Sequence, residues 1–101
     1  MEIVDVYFPP GVLDKVHARG TDEEMVFRAL TASRDRGERG PLVVGQWTED
    51  DGSPDLLVLA QDPVTGAYLE VGCVIEADGS ARCYHAMGMR ERDRQRFRER
   101  R

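Results

Sequence analysis

The chain has 101 residues, 41% of them hydrophobic, and a formal net charge of −5, which suits one domain with one modest core. No apolar run approaches the roughly 20 residues of a membrane-spanning helix, and Met1-Glu2-Ile3-Val4-Asp5 lacks the basic flank and apolar centre of a signal peptide, so no membrane association and a cytoplasmic location are expected. The charge is divided: up to Ala81 there are 16 acids against 6 bases (net −10), and from Arg82 to Arg101 there are 8 arginines against 3 acids (net +5). That division argues against broad, non-specific nucleic-acid binding and directs any polyanion to the carboxyl-terminal end.

In chain order, Ile3 to Phe8 is β-branched and aromatic enough to predict a short strand, which Pro9-Pro10-Gly11 stops. Val12, Leu13 and Val16 then give the stripe of a first helix of about two turns, ended at Arg19-Gly20. Thr21-Asp22-Glu23-Glu24 reads as the capped start of a second helix, with Thr21 or Asp22 accepting from free amides and Val26, Phe27, Ala29 and Leu30 forming its buried face. Thr31 to Pro41 is loop.

The remainder reads mostly as strand. Leu42 to Trp47 has the character of an edge strand, although its membership of the sheet is left open. Asp55 to Gln61 is a central strand, Asp62-Pro63-Val64-Thr65-Gly66 a turn, and Ala67 to Glu76 the next strand. Ala77-Asp78-Gly79-Ser80 is the strongest hairpin signal, and Ala81 to Met87 returns antiparallel. From Arg90 to Arg101 the pattern allows a surface helix anchored on Phe97, or fraying beyond it. The expected class is α+β: a short amino-terminal strand, two helices, a three- to four-stranded antiparallel meander and a basic carboxyl-terminal helix, all in one domain.

A hairpin closed by a two- or four-residue loop sets Gly72 opposite His85, Val74 opposite Cys83, Cys73 opposite Tyr84 and Glu70 opposite Met87. Alternation then puts Leu69, Val71, Cys73, Ile75, Tyr84 and Ala86 on a core face. Tyr68, Glu70, Gly72, Glu76, His85 and Met87 share an open face, where Glu70 lies diagonal to His85, about 7 to 8 Å away between backbone positions. A carboxylate orienting an imidazole beside a glycine suits acid/base chemistry. In this register Cys73 and Cys83 point to opposite faces and stay reduced unless a bulge intervenes. They lack Cys-x-x-Cys spacing, and neither metal nor cofactor is expected.

Three segments carry a family resemblance. They are Val16-His17-Ala18-Arg19-Gly20-Thr21-Asp22-Glu23-Glu24, the strand pair Leu57 to Gln61 with Gly66 to Val71, and Tyr84-His85-Ala86-Met87-Gly88-Met89-Arg90 followed by Arg92, Arg94, Arg96 and Phe97. Together they resemble BrnT-like toxins, a branch of the RelE-type superfamily. The resemblance implies a ribonuclease that activates a ribose 2′-hydroxyl and stabilises the reacting phosphate with basic side chains, and a DNA-binding antitoxin as partner. The family's strand-end arginine is Met87 here, and His85 stands where serine is usual. Two readings follow. In the first, the chain is a toxin ribonuclease: Glu70 and His85 transfer protons, Arg90 or Arg92 holds phosphate at the catalytic centre, and Arg82, Arg92 and Arg94 contact RNA. In the second, catalysis is lost and the fold serves as a protein- or RNA-binding module.

Overall fold

A computed structural model describes residues 2–100. The chain runs β1 (Asp5–Tyr7), α1 (Pro10–Ala18), α2 (Glu23–Leu30), a 3-10 turn (Arg34–Arg36), β2 (Leu42–Thr48), β3 (Pro54–Gln61), β4 (Tyr68–Ile75), β5 (Ser80–Gly88) and α3 (Glu91–Glu99). One sheet holds all five strands in the order β1-β5-β4-β3-β2. The last four form an antiparallel meander, and β1 joins its edge parallel to β5. The class is α+β, and Leu42–Thr48 is the sheet's outer strand.

Helix α1 begins two residues before Val12, because Pro10 sits in the first turn, where its missing N–H costs nothing. Asp22, not Thr21, caps α2: its carboxylate accepts from the Met25 amide at 2.8 Å, with Glu23 and Glu24 following in the first turn. Val16, Val26, Ala29 and Leu30 of these helices cover one face of the sheet, meeting Leu56, Val58 and Ala60 of β3, Leu69, Val71 and Cys73 of β4, and Ala81, Cys83 and Ala86 of β5. An ion pair pins α2 to the β3–β4 turn. Arg28 donates from Nε and Nη2 to the two carboxylate oxygens of Asp62, each at 2.8 Å, and Asp62 is fully buried.

The other face is covered only at one corner. Helix α3 contributes a single buried side chain, Phe97, which packs with Leu59 and Met89 and meets Tyr68 edge to face at 6.1 Å. Burying one such ring stabilises by roughly 1.5 to 3 kcal/mol, enough to dock a helix too polar to hold itself. Its far end is tied to the segment before β2: Arg39 donates to the Arg98 carbonyl at 3.0 Å and Arg100 to the Gly40 carbonyl. The helix therefore continues past Phe97 to Glu99, while the last residue of the tail, Arg101, lies outside the described residues.

The β4–β5 hairpin corrects one expectation. Its loop has three residues, with Glu76 N–H donating to the Ser80 carbonyl at 2.9 Å and Gly79 at φ +90°, a conformation that favours glycine. An odd loop shifts the register by one, so Cys73 faces Cys83 and Val74 faces Arg82. A bulge after Gly72 then absorbs Tyr84 as an extra residue and restores Gly72 opposite His85 and Glu70 opposite Met87. Cys73 and Cys83 are consequently neighbours on the buried face, not on opposite faces, and Tyr84 leaves the core for the open face. The Cys73 sulfur, together with burial, pushes the Cys83 thiol above its ordinary pKa.

Candidate functional site

The pairings define the open face as rows of side chains running across the strands. One row holds Gly45, Leu57, Gly72 and His85, and the next holds Trp47, Asp55, Val74, Arg82 and Tyr7. On the other side of the first row lie Leu59, Glu70 and Met87, and beyond them Gln61 and Tyr68, where α3 crosses.

Glu70 and His85 meet. Nε2 of His85 lies 2.8 Å from Oε2 of Glu70, with the side chains 28% and 17% exposed. A carboxylate can only accept, so the imidazole donates from Nε2, and in the neutral ring Nδ1 then carries the lone pair. This is the expected diagonal pair, partly screened from water yet reachable from the open face. Met87 faces Glu70 directly across the strands.

The arginines are dispersed. Arg94 lies at the α3 end of this face: its guanidinium sits over the Tyr68 ring, 5.3 Å from the centroid, and Tyr68 precedes Glu70 by one side-chain step on the same face, roughly 7 Å along the strand. Its Nη1 lies 3.6 Å from Glu91, and its Nε is buried without a partner among the described residues. Arg90 is the exposed residue preceding the first turn of α3 and makes no capping bond with its side chain. Arg92 is 82% exposed, 3.8 Å from Asp93. Arg82 does not join this group; it lies on the far side of His85, 3.7 Å from Glu76, in a cleft of about 710 Å³ that also includes Glu49, Asp50 and Asp51.

Sequence reasoning missed Tyr84 and its partner. The Tyr84 hydroxyl donates to Asp55 at 2.6 Å, and its ring fills the space over Gly72, where an added Cβ would come within 2.7 Å of it. Burial first, and then the Asp55 carboxylate, hold this phenol above its ordinary pKa. Likewise Tyr7 donates to Glu76 at 2.7 Å, and that bond is the main reason its pKa is raised. The second histidine, His17, is also paired, 2.6 Å from Glu23, but it joins α1 to the start of α2, outside the open face. Among the described residues no helix is long and apolar enough to cross a membrane. Compared with known protein families, curated proteins and solved structures, the chain matches none.

Proposed function

We propose that this chain is the RNA-cleaving toxin of a toxin–antitoxin pair, of the BrnT-like branch of the RelE-type fold, with a DNA-binding antitoxin as its partner. The observation that carries the reading is the 2.8 Å contact between His85 and Glu70 on the open face, with Arg94 over Tyr68, the neighbouring side chain on that face of β4. Glu70 holds the imidazole in one tautomer and stabilises the imidazolium that forms on proton uptake. Nδ1 of His85 takes the proton of a ribose 2′-hydroxyl, and the freed oxygen attacks the adjacent phosphorus. The bond to the 5′-oxygen breaks, that oxygen takes a proton from water, and the products are a 2′,3′-cyclic phosphate and a 5′-hydroxyl. Arg94 and Arg90 supply the positive charge that the phosphorane needs, and Arg92 steers RNA from the exposed side of α3.

The second reading, a non-catalytic binding module, is favoured by Met87, since a thioether offers no charge to a phosphate, and by the Glu76 and Glu91 carboxylates near Arg82 and Arg94. Induced expression with and without the adjacent reading frame separates the two. Growth arrest relieved by the neighbour supports the toxin, and undisturbed growth of cells making the folded chain alone supports the module.

A further inference from the structure

The open face is electrically divided. Its α3 end carries arginines, whereas its opposite end carries aromatic rings among carboxylates. Trp47 is 55% exposed and Tyr84 42% exposed, although both are large and apolar. Each ring rests on a glycine in the same cross-strand row: a Cβ on Gly45 would come within 2.8 Å of the Trp47 ring, and one on Gly72 within 2.7 Å of Tyr84. Both rings therefore occupy the space that a side chain at each glycine would take, and the Asp55 hydrogen bond fixes Tyr84 further. Such rings lose little freedom when covered, which makes them effective anchors.

Around them stand Asp55, Glu76, Glu49 and Asp50, with Arg82 the cation that lines the same cleft among the described residues, its charge set against Glu76 at 3.7 Å. Exposed aromatic rings beside carboxylates attract guanidinium and ammonium groups, through the ring quadrupole and through charge. The same surroundings repel phosphates.

We propose that this aromatic, acid-rimmed end of the open face is a docking surface for a basic segment of a partner protein, whose arginine or lysine side chains lie over Trp47 and Tyr84. The assignment does not rest on RNA cleavage, and a catalytically inert chain would keep it. Charge complementarity selects a basic occupant: a second copy would bring a chain of net charge −5 to an acidic rim, and RNA would bring phosphates to carboxylates.

Trp47 is the only tryptophan of the chain, so its emission reports directly on the surface. The full-length protein is titrated with a labelled 12-residue peptide alternating arginine with leucine, and with the same peptide carrying glutamate for arginine. The expected result is saturable binding of the basic peptide with a blue shift of Trp47, weakening about tenfold or more from 50 to 300 mM salt, and no binding of the acidic peptide. Followed by peptide anisotropy, Trp47→Ala should weaken binding by about tenfold or more, as truncating an aromatic anchor does. The fold-neutral loop pair Glu49→Gln and Asp50→Asn should weaken it several-fold. Equal binding to all variants, equal binding of the acidic peptide, a Trp47 shift produced instead by single-stranded oligouridylate, or one produced by self-association on raising protein concentration would each overturn the assignment.

Discussion

Asp62→Ala tests the strongest polar restraint in the fold. The Asp62 carboxylate accepts from Arg28 Nε and Nη2 at 2.8 Å each, from Val64 N at 3.1 Å and from Thr65 Oγ1 at 2.7 Å, with no exposure of its own. Breaking a buried pair by removing one partner costs about 3 to 5 kcal/mol. The Arg28 side chain is 28% exposed and regains some water, so the lower end, about 3 kcal/mol, applies. For a chain of this size that corresponds to a fall in Tm of roughly 12 to 24 °C. Arg28 chiefly, with Thr65 and Val64 adding to it against the opposing effect of burial, holds the Asp62 carboxyl well below the usual carboxylate range. Its folded pKa is thus below the unfolded value of about 3.9, and its contribution is present above that pH and lost as pH falls through the folded value. Urea denaturation followed by circular dichroism should show the full gap between wild type and Asp62→Ala at pH 7 and a narrowing gap below about pH 4. Arg28→Met should cost little more once Asp62 is gone. A gap under about 1 kcal/mol at pH 7, or one that does not change with pH, would show that the Asp62–Arg28 pair does not restrain the fold.

Phe97→Ala should destabilise by about 3 kcal/mol or more and remove amide-exchange protection from Glu91 to Glu99, and unchanged protection there would count against Phe97 as the anchor. Asp55→Asn should lower the pH at which the highest-titrating tyrosine ionises, read from phenolate absorbance, because a carboxylate accepting the Tyr84 hydroxyl bond opposes the phenolate. Met87→Arg places a guanidinium directly across from Glu70 and should raise RNA cleavage by up to about 10²-fold, since a phosphate-stabilising donor is commonly worth that much. An unchanged rate would mean that the phosphate does not reach this strand end.

Much of the architecture is legible in sequence because local rules and global packing agree. Asp22, one of two capping candidates, and the lone Phe97 in a polar helix announce their roles through chemistry at one position, whereas Pro10 read only as the stop of a strand and also opens α1. The hairpin at Asp78-Gly79 is equally plain, but its loop length is not, and parity decides which face every later side chain takes. The three-residue loop turned Cys83 inward, and the bulge at Tyr84 turned His85 back out, so the Glu70–His85 pair was placed correctly by two compensating departures from the expected register. The parallel pairing of β1 with β5 left no signal, since three residues of strand carry no preference for direction. Arg28 and Asp62, 34 positions apart, meet only because the helix packs across the sheet. The aromatic surface was hidden for the same reason: Trp47 and Gly45 share a face with Gly72 and Tyr84 only once the strands are in register.

The proton-transfer role of His85 is tested most directly by cleavage of a single-stranded RNA by the purified chain, beside His85→Ala and a substrate with 2′-deoxyribose at the cleaved position. The expected result is products ending in a 2′,3′-cyclic phosphate, a rate lowered by about 10²-fold or more in His85→Ala, and no cleavage of the deoxy substrate. Robust cleavage that survives His85→Ala, or that proceeds without the 2′-hydroxyl, would contradict it and move the chemistry away from Glu70 and His85.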